Sequence, residues 1–246
     1  MLIAVYSDST ALPRRGLIPV DQTWPNILSS KLLMQYEKEC FFLNRSFGGI
    51  TFEELIELFR RDSAYYFDLN KSKDLAFQSI CIFTSGIVDG SPWPITYRLK
   101  FLSRIPFIGS SLWKHIGSYL SKFRPLIQSR FAYTPVSIAE FSIELRKLAE
   151  ISDSLDIFVI LLETPMPHSN LEIRSPGILK SIKKFNTAKE KIANSFEQIQ
   201  YVKLSEFFAD DLYISAEDGH HFNITGHGLV ADILSNEILK LLSNKA

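Results

Sequence analysis

Short apolar runs alternate along the chain with longer segments of helical periodicity. The apolar runs predict five buried strands, at 2–6, 40–43, 79–84, 157–162 and, more weakly, 199–204. Apolar residues at helical spacing predict helices over 27–33, 55–59, 138–151, 178–196 and 224–242. Strands that alternate with helices form a parallel sheet with helices on both faces. We therefore expect a single α/β domain over 1–246, a three-layer α/β/α sandwich around a mainly parallel five-stranded sheet.

Polar clusters follow three of the predicted strands, at 7–10, 44–49 and 85–91. In open parallel sheets, sites lie outside the carboxyl ends of the strands. The three clusters are therefore expected to converge on one rim of the sheet. Thr23 and Thr51 precede helical patterns and are predicted to begin the first two long helices.

Residues 91–137 interrupt the alternation. This stretch has no Asp or Glu, is rich in aromatic residues, and is too long for a plain loop, so we predict a basic insertion with helices of its own. A solvated basic face, a lid over the site, a membrane-surface contact and a docking surface for an anionic donor such as an acyl-CoA all remain open.

Composition narrows the function classes. The chain has 246 residues and a formal net charge of zero, which gives no overall attraction to nucleic acid. The N-terminus lacks the basic region of a signal peptide, and no run of apolar residues is long enough to span a bilayer. Together these features predict a cytoplasmic protein without a transmembrane segment. Cys40 and Cys81 lie in apolar runs and are predicted to be small buried side chains.

The segment 215–227 carries the strongest candidate chemistry. Asp218 and His221 are three residues apart, close enough for the carboxylate to orient an imidazole that acts as a general base. Ser9, at the end of the first predicted strand, is the candidate nucleophile. His220 and His227 compete with His221 for the role of base, but the spacing favours His221. The histidines lack the i, i+4 spacing of a helical zinc site, so we expect no metal and no cofactor.

Four blocks, in order, give the chain a resemblance to the SGNH (GDSL-type) hydrolase family. They are Ser7-Asp8-Ser9, 44–51, Ser85-Gly86-Ile87-Val88-Asp89 and Asp218-Gly219-His220-His221, and Trp24-Pro25 resembles a helix start common in the same family. The resemblance implies a flavodoxin-like fold with Ser9 as nucleophile, His221 as base and Asp218 as its partner. It also implies an oxyanion hole built from the backbone amides of Ser9 and Gly49. Asp8 and Asp89 are predicted to contribute to substrate binding.

Two positions depart from the family pattern. Ser7 replaces the usual glycine before Asp8, and Val88 stands where the family has an asparagine that donates to the oxyanion. Removing one such donor has cost other enzymes about 10²–10³ in rate. The Gly-Ile-Val-Asp sequence at 86–89, followed by proline, resembles a subgroup linked to bacterial surface-polysaccharide clusters.

These features predict a serine-dependent acyl-ester hydrolase, of esterase or deacetylase type, with an acylated sugar or another small acyl ester as substrate. Two alternatives remain open. One is a sugar O-acyltransferase of surface-polysaccharide biosynthesis that uses the same triad. The other is a catalytically weakened, carbohydrate-binding scaffold, which Ser7 and Val88 motivate. The motifs identify neither the acyl group and its acceptor nor the oligomeric state.

Overall fold

The computed structural model describes residues 1–35, 40–67, 79–91, 136–206 and 211–243. Within these ranges, five strands form a parallel sheet in the order β2-β1-β3-β4-β5. The strands are β1 (Leu2–Ser7), β2 (Phe41–Ser46), β3 (Ser79–Thr84), β4 (Phe158–Leu162) and β5 (Ile199–Val202). The order reverses direction at the β1–β3 pair, which places a crevice at the carboxyl ends of those two strands.

Helices cover both faces of the sheet. They are α1 (Trp24–Gln35), α2 (Phe52–Asp62), α3 (Ile87–Gly90), α4 (Ile138–Leu155), α5 (Ser169–Arg174), α6 (Ile178–Ala193) and α7 (Ile224–Ser243). The helices α1 and α7 enclose one core against the sheet, and α2, α4 and α6 enclose the other. The three-layer sandwich predicted from the sequence is confirmed. The predicted insertion at 91–137 lies outside the described residues except at its two ends.

Strand residues alternate between the two cores. Ile3 and Val5 of β1 belong to the core beneath α1 and α7, whereas Ala4 and Tyr6 belong to the core on the opposite face. All four are fully buried. A strand that is buried on both faces has no need of polar residues, and this is why β1 appears in the sequence as a continuous apolar run.

Strand β2 is longer than the sequence indicated. Asn44, Arg45 and Ser46 were expected in a loop, but they continue the parallel pairing with the end of β1. Because β2 is an edge strand, it has a polar side that a central strand lacks. Arg45 uses that freedom to form an ion pair with Asp62, with 2.9 Å between Nε and Oδ2.

The two threonines predicted at helix starts behave differently. Thr51 forms a full capping box, because its hydroxyl accepts from the amide of Glu54 and its own amide donates to the Glu54 carboxylate at 2.8 Å. Thr23 immediately precedes α1, but its hydroxyl donates to the carbonyl of Val20 at 2.8 Å and does not cap the helix. Over the residues described, no helix is long and apolar enough to cross a membrane.

Two glycines in the first turns of α7 provide a matched test of the packing at this end of the sheet. A Cβ on Gly226 would overlap the carbonyl oxygen of Tyr213, whereas a Cβ on Gly228 would meet nothing within 4 Å. Gly226→Ala is expected to lower the free energy of unfolding by about 2 kcal/mol or more, because backbone must move. Gly228→Ala is expected to raise it by about 0.5–1 kcal/mol through helix propensity. Urea denaturation of both variants checks this, and equal effects would contradict the close approach.

Candidate active site

The loop that precedes α7 is closed by its own backbone hydrogen bonds. The amide of Ser215 donates to the carbonyl of His221 at 2.7 Å, and Ile214 and Phe222 form an isolated antiparallel bridge. Both of these apolar side chains are buried in the core. Gly219, with a φ of 78°, makes the turn between the two arms. The loop is thus anchored at its base and presents the side chains at its tip to the rim of the sheet.

Ser9 is positioned by the first turn after β1. Residues Ser9–Ala11 form a short 3-10 turn, and Asp8 caps it with one carboxylate oxygen. That oxygen accepts from the amide of Thr10 at 2.9 Å and from its hydroxyl at 2.7 Å. The side chain of Ser9 stays partly exposed and lies at the crevice end of β1.

The three residues predicted to form a triad lie in hydrogen-bonding contact. The distance from His221 Nε2 to Ser9 Oγ is 2.8 Å, and the distance from His221 Nδ1 to Asp218 Oδ2 is 2.9 Å. One imidazole therefore bridges a hydroxyl and a carboxylate, which is the arrangement that activates a serine nucleophile.

Four donors surround the carboxylate of Asp218. Its Oδ1 accepts from the amides of His220 and His221, each at 3.0 Å, and its Oδ2 contacts His221 Nδ1 and Arg14 Nη2, the latter at 2.6 Å. Burial opposes ionisation, but the hydrogen bonds from His221 and from the two amides outweigh it and hold the pKa of Asp218 well below its usual value. Arg14 was not predicted from the sequence, because it belongs to none of the four blocks and lies 204 residues from Asp218.

The two competing histidines have other surroundings. The ring of His220 lies against that of His221, with 4.0 Å between centroids, and burial lowers its pKa. His227 is buried in α7, where its Nδ1 accepts from the amide of Trp24 at 3.1 Å. Burial, with a smaller effect of the charge on His221, lowers the pKa of His227 to about 4. The contact with Ser9 is made by His221.

Asp218, His220 and His221 also form the one cluster in the described ranges whose geometry could suit a metal ion. Their potential ligand atoms lie within 4.8 Å of one another. The Oδ2 of Asp218 already holds the guanidinium of Arg14, and its Oδ1 holds two amides. A cation placed here would meet the charge of Arg14, so the donor set does not favour a metal.

The loop after β3 is held by a buried lysine that no motif in the sequence indicated. The ammonium of Lys189, on α6, donates to the carbonyls of Ser85 and Leu162 at 2.6 and 3.0 Å and to Thr164 Oγ1 at 2.9 Å. Burial lowers the pKa of Lys189 to about 8. Gly86 takes a φ of 121° beside this cluster, where a Cβ would lie 2.7 Å from Thr164 Oγ1.

Asp8 and Asp89 are placed differently from what a role in substrate binding requires. Their side chains are buried, with exposed fractions of 2% and 1%. The carboxylate of Asp8 caps the turn at Ser9, and Asp89 Oδ1 accepts from the amide of Phe52 at 2.8 Å. The carboxylates therefore organise the backbone behind the site and do not present themselves to a substrate.

The predicted oxyanion donors are backbone amides on two different loops. Gly49, with a φ of 73°, lies in the turn between β2 and α2, and Ser9 follows β1. Neither amide has an acceptor within the part of the chain that the structure describes. Val88 is half-buried in α3 and offers no side-chain donor.

The burial of Asp89 predicts a pH-dependent contribution to stability. Burial, above all, raises its pKa to about 6 from an ordinary value of 3.8. The folded protein then holds this proton more tightly than the unfolded chain, so ionisation between about pH 4 and 6 lowers stability as the pH rises. The free energy of unfolding of Asp89→Asn minus that of the native protein should therefore increase by about 1 kcal/mol or more when the pH rises from 5 to 7.5. Urea denaturation at both pH values measures this, with the exposed Asp153→Asn as control. A difference that is the same at both pH values would contradict the burial of this carboxyl group.

Comparisons with known proteins identify the fold. No family model and no curated protein matches the sequence. Among solved structures, a lipase/acylhydrolase from Enterococcus faecalis is 17% identical, with 96% of this chain and 94% of that one covered and a TM-score of 0.60. A member of the G-D-S-L lipolytic family from Veillonella parvula is 13% identical, with 94% of each chain covered and a TM-score of 0.57. An acetylxylan esterase from Geobacillus stearothermophilus, in a catalytic variant, is 16% identical, with 96% and 93% covered and a TM-score of 0.59. The chain thus has the SGNH hydrolase fold that its four sequence blocks led us to expect.

Proposed function

We propose that the protein is a serine-dependent acyl-ester hydrolase in which Ser9, His221 and Asp218 form the catalytic triad. The observation that carries this proposal is the unbroken contact from hydroxyl to imidazole to carboxylate, with distances of 2.8 and 2.9 Å. The residues come from opposite ends of the chain, and they meet at the carboxyl end of the sheet, where sites lie in this architecture.

The geometry supports a two-step reaction. His221 Nε2 takes the proton of Ser9 as Oγ attacks the ester carbonyl, and Asp218 stabilises the imidazolium through Nδ1–H. The tetrahedral intermediate expels the alcohol, which receives the proton from His221, and leaves an acyl group on Ser9. Water then attacks this acyl-enzyme with His221 again as base, which releases the acid and restores the serine.

The oxyanion of each tetrahedral intermediate is assigned to the amides of Ser9 and Gly49. Asp89 supports this assignment indirectly, since its bond to the amide of Phe52 ties the start of α2, just after Gly49, to the loop after β3. Val88 adds no side-chain donor, so the hole relies on the backbone. An enzyme with two donors is expected to acylate more slowly than one that has an additional side-chain donor.

We propose a saccharide-borne acyl ester as the substrate class. The similarity to an acetylxylan esterase supports a small acyl group on a sugar. Transfer of the acyl group to a sugar hydroxyl would use the same acyl-enzyme and differs only in the second acceptor. The proposed anionic donor site in the 91–137 insertion lies outside the described residues and gains no support here.

Covalent labelling tests the nucleophile. A fluorophosphonate should add to the native protein at the peptide that contains Ser9, because the hydroxyl is activated by His221. Ser9→Ala should not take the label, and its kcat on an aryl acetate should fall by at least about 10³-fold. Its circular dichroism should be unchanged. Ser30→Ala, at an exposed serine on α1, is the matched control and should behave as native.

The same experiment separates the alternatives. A folded native protein that neither takes the label nor hydrolyses esters would contradict the proposal and favour a carbohydrate-binding scaffold without activity. Labelling together with formation of an acylated sugar, in competition with release of the free acid, would identify an acyltransferase. Hydrolysis by Ser9→Ala at the native rate would exclude the serine mechanism.

A further inference from the structure

We propose that Arg14 is a positioning residue of this site. It holds the carboxylate of Asp218 in place and weakens the effect of that negative charge on the imidazole of His221. The inference rests on the function proposed for Ser9, His221 and Asp218. It extends that function by assigning a role to a residue outside the four sequence blocks.

The contact itself is short and partly shielded from water. Arg14 Nη2 lies 2.6 Å from Asp218 Oδ2, and the same oxygen is 2.9 Å from His221 Nδ1. The exposed fractions of the two side chains are 22% and 21%. A charge-assisted hydrogen bond of this length is stronger than one between neutral groups, and partial burial reduces its screening by solvent. The carboxylate is therefore held from one side by a cation and from the other by the imidazole.

The backbone of Arg14 is fixed by a small closed turn. Its amide donates to the carbonyl of Ile18 at 2.9 Å, and the amide of Ile18 donates back to Arg14 at 2.8 Å. Gly16, with a φ of 75°, allows the reversal between them. Ile18 is buried, with 4% of its surface exposed, so the turn is attached to the core. The guanidinium is thus presented from an anchored backbone.

The electrostatic effect of Arg14 on His221 depends on the other charged and titratable groups nearby. Asp218 and His220 contact His221 directly, and Arg14 lies on the carboxylate of Asp218, with Glu217 3.8 Å from Arg14 Nη2. Farther out, the charge of Asp8 acts on His220, and His227 interacts with His221. Arg14 is the permanent cation of this set. Asp218 favours the protonated imidazole, and a guanidinium on the same carboxylate oxygen opposes that preference. Loss of the Arg14 charge is therefore expected to strengthen the preference of the imidazole for its protonated form, which cannot act as a base.

The pH dependence of kcat/KM on an aryl acetate is the direct test. In Arg14→Met the midpoint of the acid limb should move up by about 0.5 pH unit or more, because the charge of Asp218 is no longer offset. We expect kcat to fall about tenfold as Asp218 loses its anchor, and KM to stay within about twofold. Arg14→Lys should restore the acid limb, since it keeps the charge, with kcat between the two because lysine lacks the planar fork.

Arg15 provides the matched control. It is the next residue in the same turn, it carries the same charge, and its side chain is exposed. Arg15→Met should leave both the acid limb and kcat at native values. If Arg14→Met does not fold, Arg14→Gln, which keeps hydrogen-bond donors without the charge, serves in its place. An unchanged acid limb in the folded Arg14 variant, or an equal change in Arg15→Met, would overturn the proposal.

A second measurement does not depend on activity. In a Ser9→Ala background, the chemical shifts of the His221 ring nitrogens can be followed by NMR from pH 4 to 9, with and without Arg14→Met. An upward move of the titration midpoint on loss of Arg14 supports the proposal even if the tested esters are not hydrolysed, and an unchanged midpoint refutes it. Failure of the esterase assay with the native protein would instead concern the proposed function, so the two failures are distinguishable.

Discussion

The carboxylate of Asp218 is the point on which the geometry of the site depends. It accepts two backbone amides of its own loop, which fix the turn, and it contacts His221 and Arg14, which come from the loop before α7 and from the turn after β1. The side chain of Asp218 thus links the segment after β1 to the loop before α7. Without that carboxylate, a neutral imidazole next to Ser9 would have no fixed tautomer, and the loop would keep fewer of the bonds that shape its tip.

A second set of buried polar contacts holds the other side of the crevice. Lys189 donates hydrogen bonds to carbonyls at the ends of β3 and β4, and Asp89 accepts a hydrogen bond from the first amide of α2. Buried charges of this kind are costly unless they are paired or hydrogen-bonded. Here their hydrogen bonds go to the backbone of the loops that border the site. These buried charges cost free energy through desolvation, but their hydrogen bonds hold the loops in position. Hydrophobic packing alone would leave those loops less well determined.

The fold could be predicted from the sequence because its signals are local. Apolar runs that are buried on both faces mark β1 and β3, and helical periodicity marks the covering layers. The end of β2 could not be placed, since Asn44 and Arg45 have side chains that suit a loop, and their strand pairing depends on the edge position. The pairing of Ser9 with His221 followed from motif order. The contact between Arg14 and Asp218 could not be predicted, because the two residues lie 204 positions apart in the sequence. The burial of Asp8 and Asp89 is likewise a property of the tertiary structure.

The burial of Lys189 affects how this lysine reacts with chemical reagents in the folded protein. Its amine is enclosed by three oxygens, and only 1% of the residue is exposed. We therefore expect acylating or reductively alkylating reagents to reach it only when α6 separates from the ends of β3 and β4. The lysines on the outer face of the same helix stay open to those reagents throughout. The rate at which Lys189 is modified, compared with the rates of the exposed lysines, therefore reports how often α6 opens away from the sheet. Mass spectrometry can measure both rates under native conditions.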